Sequence, residues 1–430
     1  MRLPKSILTP LLILFLVILA CSSSEQGQIQ TQVASVGKTA LAEGGEIART
    51  QAAQLKKTAV TIAETQADIL KKTALSVAET QVDNLKETAS AALGTQLAGG
   101  GYERQFPNTS KDDNYLVGAY YYPWYGPGRN HWEDGYAGHP TLGEYDSGAR
   151  NILNQQIDWA AGHGIDFFAV SWWGPGSRED SVLKDHFLKS PLIQEFQFVI
   201  LYESAGRLQV SPDGTINIDS LENQDTLLKD LTYLQQEYWH HPQYLKIDGR
   251  PVVILYLTRI FTGDISAAFN AIRSTLRANG EDMYLIGDEV YWGNSQSLPK
   301  AHIQTFDAVT AYNMHTSVEG IADDFNGKVS QEYAAWEARA NDLGVDFIPG
   351  ILPGFNDTSV RPQANHPPIP RSVGLFESQL DTAFEFLSPR IKLFMITSWN
   401  EWHEDTSIEP AQEFGFDYLD ALQRKKESQP

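Results

Sequence analysis

Glu401 and Glu404 stand three residues apart in the segment Thr397-Ser398-Trp399-Asn400-Glu401-Trp402-His403-Glu404-Asp405. On a turn, or on the first turn of a helix, that spacing projects both carboxyls to one side. Two carboxyls in one pocket can divide acid–base work. A protonated one gives its proton to a leaving glycosidic oxygen while an ionised one acts as base or nucleophile, their surroundings driving the two pKa values apart. A glutamate pair at an arbitrary place is more often two solvated surface groups. Here it follows an apolar run and stands among Trp399, Asn400, Trp402 and His403, which is the company of a site.

Other apolar runs also end in aromatic and polar groups. One leads into Tyr120-Tyr121-Tyr122-Pro123-Trp124-Tyr125-Gly126, with His131-Trp132 beyond; another ends at Ser171-Trp172-Trp173. Further ends carry Tyr202-Glu203 with Arg207 close by, Gly287-Asp288-Glu289, and Tyr312-Asn313-Met314-His315. Flat aromatic faces accept the C–H groups of a pyranose, and carboxylates and amides bind its hydroxyls. The candidate glycan-binding residues are therefore Tyr121, Tyr122, Trp124, Trp172, Trp173, Glu203, Arg207, Tyr312, Asn400, Trp402 and His403, around Glu401 and Glu404 as the catalytic pair.

Other chemistries lack their residues. His403-Glu404 has no second histidine four residues on, as a zinc-binding helix needs, and the chain's one cysteine excludes a cysteine cluster. There is no Gly-x-Ser-x-Gly elbow, and Asp323-Asp324 does not make a calcium loop. The expectation is hydrolysis with no metal and no cofactor. The net charge of −21 disfavours nucleic acid and suits a neutral or cationic substrate.

The elements that must position these groups are legible as eight short apolar runs. They are Tyr115 to Tyr122, Ile165 to Ser171, Phe196 to Glu203, Pro251 to Leu257, Met283 to Asp288, Phe306 to Tyr312, Asp346 to Ile351 and Ile391 to Ser398. Several are apolar throughout, as strands buried on both faces are, and stretches of helical period lie between them. Leu227, Leu228, Leu231, Leu234 and Tyr238, for example, share one helical face. Eight such units over residues 102–430 predict an α/β fold, a (β/α)8 barrel, whose function collects where the strands end.

The N-terminal part is different. Arg2 and Lys5 precede an apolar run, Ile7 to Ala20, which ends in Ile18-Leu19-Ala20-Cys21 followed by Ser22-Ser23-Ser24. That resembles a bacterial lipoprotein signal over residues 1–21, with Cys21 as the lipid anchor. The expected location is exported, lipid-anchored at the bacterial cell surface or at the periplasmic face of a membrane. Residues 22–101 hold no aromatic residue, and seven basic residues nearly balance eight acidic ones between 22 and 100. Leu55-Lys56-Lys57-Thr58-Ala59 recurs as Leu70-Lys71-Lys72-Thr73-Ala74 and weakly as Leu85-Lys86-Glu87-Thr88-Ala89. The 15-residue step fits a helical stalk with a thin apolar stripe; a disordered tether with helical tendency fits the same composition. Gly99-Gly100-Gly101 marks its end.

Residues 115–412 resemble glycoside hydrolase family 99, the endo-α-mannosidase and endo-α-mannanase family. The most specific stretch runs from Ile396 to Glu409 and is similar to the family's Asn-Glu-Trp-His-Glu segment. Tyr121-Tyr122-Pro123-Trp124-Tyr125-Gly126, Ser171-Trp172, Pro349-Gly350 to Phe355, Asp357-Thr358 and Arg361-Pro362 fall in the family's order. The resemblance implies a metal-free (β/α)8 barrel that cleaves α-mannosides with retention. The substrate's own 2-hydroxyl would form a 1,2-anhydro sugar. By position, Glu401 would deprotonate that hydroxyl, and Glu404 would protonate the leaving group and later activate water. Glu203 and Tyr312 match the family's substrate-binding glutamate and tyrosine. Segments 174–181 and 204–219 differ from those of characterised members, and such loops shape sugar subsites. Two alternatives stay open: a glycosyltransferase or transglycosidase of polysaccharide metabolism, and a non-catalytic glycan-binding surface lipoprotein.

Overall fold

In the computed structural model the residues described are 102–109, 114–127 and 131–428. The signal, Cys21 and the stalk lie outside them. Among the described residues no helix is long and apolar enough to cross a membrane.

Nine parallel strands form a nearly closed barrel, alternating with helices. They are β1 (Leu116–Tyr121), β2 (Phe167–Trp172), β3 (Gln197–Tyr202), β4 (Arg250–Leu255), β5 (Tyr284–Asp288), β6 (Ala308–Thr310), β7 (Asp346–Ile348), β8 (Gly350–Ile351) and β9 (Leu393–Ile396). Each of the eight predicted runs overlaps a barrel strand. The seventh contains two, because Pro349 interrupts it. A proline has no N–H to give to a ladder. The pairing order β7-β6-β5-β4-β3-β2-β1-β9-β8 therefore brings both ends of the sheet to one proline, with β7 bonded to β6 and β8 to β9.

The longer helices are α1 (Arg150–Gly162), α2 (Arg178–Asp185), α3 (Leu221–Glu237), α4 (Ile265–Ala278), α5 (Phe325–Leu343), α6 (Val373–Glu385) and α7 (Asp417–Ser428). The crossover after β5 keeps only the short helix Lys300–Ile303. Local sequence sets several starts and stops. Ser177, Asp264, Asp324 and Ser372 each accept a backbone N–H three residues on, at the first turns of α2, α4, α5 and α6. Helix α3 is the predicted crossover, with Leu227, Leu231 and Leu234 fully buried.

The core has two layers, and the period of two along each strand assigns residues between them. Tyr120, Phe167, Ala169, Val199, Leu201, Val252, Ile254, Ile286, Ile348 and Met395 fill the barrel interior. Tyr121, Phe168, Val170, Ile200, Tyr202 and Val253 pack outward with the helices. Gly118 is an interior position where a Cβ would lie 2.3 Å from Phe167 and 2.6 Å from Met395, so only glycine leaves room for those two side chains. At the Pro349 junction the carbonyl of Ala311 comes within 2.0 Å of where a Cβ on Gly350 would stand.

Candidate active site

The segment after β9 folds back on itself before joining the outer layer. Ser398 N–H donates to the Thr406 carbonyl at 2.7 Å, and the Ser398 hydroxyl accepts the Glu401 N–H at 2.7 Å. Glu401 Oε1 in turn accepts the His403 N–H at 2.9 Å. Asn400 ties this turn to the end of β1, accepting the Tyr122 N–H at 2.8 Å and donating to the Tyr122 carbonyl at 3.0 Å. Trp402 is held from behind by Glu409, whose carboxylate accepts from the Trp402 indole at 3.1 Å, Tyr145 at 2.7 Å and Gln156 at 2.6 Å. With Asn400 and Trp402 used as fasteners, Glu401, His403 and Glu404 face a cavity of about 340 Å³ at the C-terminal mouth of the barrel. That volume lies within the range of small-ligand sites.

The walls come from several strand ends. Trp124 is the centre of an aromatic shelf: its ring lies 4.4 Å from Tyr122, 4.5 Å from His131 and 6.0 Å from His403, the last two stacked on it. Trp173 stands 6.4 Å away. Across the cavity Tyr312 shares a 2.5 Å hydrogen bond with the Tyr122 hydroxyl and meets Tyr256 edge-on. Glu203, after β3, accepts from Ser171 at 2.7 Å, and Ser171 also accepts the Trp173 indole N–H at 3.0 Å. Val360 and Arg361, from the loop after β8, complete the lining together with Asp134. Arg361 Nη1 donates to Glu404 Oε1 at 2.6 Å and to Asp357 Oδ2 at 3.2 Å.

Residues 128–428 match the family model described as Glycosyl hydrolase family 99. The chain belongs to this family. The glycoprotein endo-alpha-1,2-mannosidase of Mus musculus is 24% identical over 343 residues, covering 69% of this chain and 68% of its own. The glycoprotein endo-alpha-1,2-mannosidase-like protein of Homo sapiens is 26% identical over 328 residues, covering 68% of each. A solved family-99 endo-alpha-mannosidase from Bacteroides thetaiotaomicron superposes with a TM-score of 0.56 at 21% identity, over 73% of this chain and 96% of that one, which shows the shared barrel. As a family-99 member the chain is a glycoside hydrolase.

The electrostatics of this family-99 site set its two carboxyls apart. Burial pushes Glu401 well above the usual carboxylate range, and the charge of Glu404 adds to that; the His403 N–H and Arg361 pull it back. Burial also raises Glu404, but Arg361 opposes it directly, by charge and by hydrogen bond. Arg361 therefore favours the charged form of Glu404 by direct contact, and Glu401 has no such contact. Behind them burial raises Glu409 to about 7 against its three donors.

Eight of the residues expected from sequence line the family-99 cavity: Tyr122, Trp124, Trp173, Glu203, Tyr312, Glu401, His403 and Glu404. Five do not. Tyr121 points outward, fully buried, stacks on Phe168 and donates to Gln156 at 2.9 Å. Trp172 likewise faces the helices and donates to Asp180 at 2.7 Å. Arg207 is spent on Asp230 of α3, with two bonds of 2.9 and 3.0 Å. Asn400 and Trp402 hold the loop and do not line the cavity. The lining residues not expected from sequence are His131, Asp134, Tyr256, Val360 and Arg361. Tyr256 had a readable signal, since it lies at the end of the fourth apolar run; Val360 and Arg361 lie well past the seventh, on a long loop. No metal was expected from the sequence. Among the described residues, one ligand atom each of His131, Asp134 and His403 lie within 4.8 Å of one another, at the exposed rim of the cavity.

Proposed function

We propose that this chain is a retaining α-mannoside hydrolase that works through a 1,2-anhydro sugar. The observation that carries the proposal is the placement of the two carboxyls: both buried, they line one cavity at the mouth of the barrel together with Trp124, Glu203 and Tyr312. In the first step the Glu401 carboxylate takes the proton of the sugar 2-hydroxyl. Its oxygen attacks the anomeric carbon, the bond to the leaving oxygen breaks, and Glu404 supplies that oxygen with a proton. In the second step the Glu404 carboxylate takes a proton from water, whose oxygen opens the anhydro ring at the anomeric carbon. Glu401 returns its proton to the 2-oxygen. Two displacements at one carbon retain configuration. A raised Glu401 is a stronger base for a weakly acidic hydroxyl. The names of the curated relatives support mannose as the sugar. Trp124 would carry the ring face, and Glu203 and Tyr312 its hydroxyls.

We further propose that the barrel, residues 102–430, is exported and held to a membrane by lipid on Cys21, with residues 22–101 as a spacer. Cys21→Ser is expected to move the protein from the membrane fraction to the soluble fraction.

The test of the reaction is hydrolysis of α-mannan and α-mannosyl oligosaccharides by the parent, Glu401→Gln and Glu404→Gln, with product anomers followed by NMR. Retained product from the parent and at least a hundredfold loss in each variant are expected. Product of inverted configuration, or a folded parent that cleaves none of these substrates, would overturn the proposal.

A further inference from the structure

Arg361 stands where the proposed mechanism has a difficulty. Glu404 must begin the cycle with a proton, yet the guanidinium 2.6 Å from its Oε1 favours the carboxylate. A glutamate that gives up a proton in one step and accepts one in the next needs a cation that is present for one step and withdrawn for the other. The geometry around Arg361 offers that second position. Its Nη1 already bridges to Asp357 Oδ2 at 3.2 Å, and Asp357 is almost wholly buried. Asp357 Oδ2 also accepts from His366 at 2.8 Å, while Oδ1, like Oε2 of Glu404, is buried and has no hydrogen-bond partner among the described residues, so each of the two carboxylates keeps one oxygen open to the guanidinium. A buried carboxylate oxygen left unmatched costs free energy that a guanidinium fork would recover. The arginine side chain can make that move, because it is half-exposed where both carboxylates are not.

We propose that Arg361 is a positioning residue that times the proton on Glu404 by alternating between two carboxylates, Glu404 and Asp357. This rests on Glu404 being the acid and base of the proposed mechanism. With Arg361 on Glu404 the carboxylate is held ready to accept a proton from water. With Arg361 turned fully onto Asp357, using both of its oxygens, Glu404 is left buried beside Tyr256 and Tyr312 with no cation bonded to it, which favours its neutral form. The glutamate then takes a proton from Glu401 or from solvent and passes it to the leaving oxygen. The leaving sugar, entering beside Glu404, is what displaces the guanidinium. The proton balance closes over one turnover: the proton taken from water replaces the one given to the leaving group, and it passes from Glu404 back to Glu401 or to solvent when Arg361 returns to Glu404. Of the other groups facing Glu404, Asn313 lies on the loop after β6 and favours its charged form. His315, on that same loop, is held neutral by burial, down to about 4, so it supplies no competing cation at neutral pH.

The experiment is a ¹³C-NMR titration of the full-length protein labelled at its glutamate carboxyl carbons, with the Glu404 signal identified by its loss in Glu404→Gln. In Arg361→Met the Glu404 transition is expected at higher pH than in the parent, and in Arg361→Lys close to the parent. In kinetics, the alkaline limb of kcat/KM on an α-mannoside with an unactivated leaving group moves the same way. At the parent's half-maximal alkaline pH the rate rises from one half to about nine-tenths of each protein's optimum for a transition displaced by about one pH unit. With an aryl mannoside, whose departure needs no proton, kcat falls about tenfold in Arg361→Met because the second step loses its carboxylate. Asp357→Asn, which removes the second seat and keeps the shape, should move the Glu404 transition to lower pH. An unmoved Glu404 transition in Arg361→Met, with hydrolysis intact in the parent, overturns the proposal. A displaced transition in a parent that cleaves no α-mannoside keeps the Arg361–Glu404 coupling and removes the mannosidase assignment.

Discussion

Glu409 gives the sharpest test of the electrostatics. Its carboxyl is fully buried behind the catalytic loop, with Gln156, Tyr145 and Trp402 as its donors, and it is raised from 4.5 to about 7. A carboxyl whose pKa is higher in the folded than in the unfolded chain contributes stability that is complete below the unfolded value. That contribution is lost as pH rises through the folded value. The window is therefore pH 4.5 to 7. At 1.36 kcal/mol per pKa unit, the difference amounts to about 3 kcal/mol. Glu409→Gln keeps the shape and cannot ionise, so it should gain about 3 kcal/mol on the parent between pH 4.5 and pH 7.5, whatever the offset between them at low pH. Urea denaturation of both proteins at half-unit pH steps measures this, and taking the difference removes the other carboxyls that both proteins share. A difference that is flat across the window would show that the three donors offset the burial of the charge. A difference that falls would show that they outweigh it, and either result would refute the reasoning.

Three further outcomes are expected. Arg207→Met leaves Asp230 buried with only the Tyr202 hydroxyl as a side-chain partner, and should cost about 3 kcal/mol in denaturation while kcat/KM per folded molecule stays within twofold; a tenfold loss of activity would return Arg207 to the site. Tyr312→Phe removes the 2.5 Å bond to Tyr122, and is expected to cost about 1 kcal/mol of stability but at least tenfold in kcat/KM, measured on the same preparation. Gly350→Ala would drive a methyl against the Ala311 carbonyl and should cost about 3 kcal/mol, read from denaturation midpoints; a cost under about 0.5 kcal/mol would mean that the junction yields.

The barrel was readable because its strands are buried on both faces, so each shows as a short apolar run whatever its neighbours. The split at Pro349 was readable in principle, since a proline within a run has no ladder bond to give. Function was harder to read than fold. Tyr121 and Trp172 looked like site residues because they stand at strand ends, but the alternation sends Tyr120 and Tyr122 inward and Tyr121 outward, and Trp172 outward beside inward Ser171. Arg207 looked like a ligand for sugar hydroxyls because nothing local shows that Asp230, a helix away, already holds it. Arg361 could be placed in the site only by the fold, since the course of the loop after β8 decides which glutamate it meets.

The interruption at Pro349 also decides how the ring is joined. Eight ladders join the nine strands, and the remaining joint is a single proline with β7 on one side and β8 on the other. A ring made this way has a fault line: β7 and β9 share no ladder across it, and the Pro349 carbonyl accepts the Met395 N–H there at 2.9 Å. The loops that leave β8 and β9 carry Arg361 and Glu404, and those two strands stay zipped together on the same lip of the fault. The cation and the carboxylate are therefore passengers on one leaf, and their contact does not span the fault.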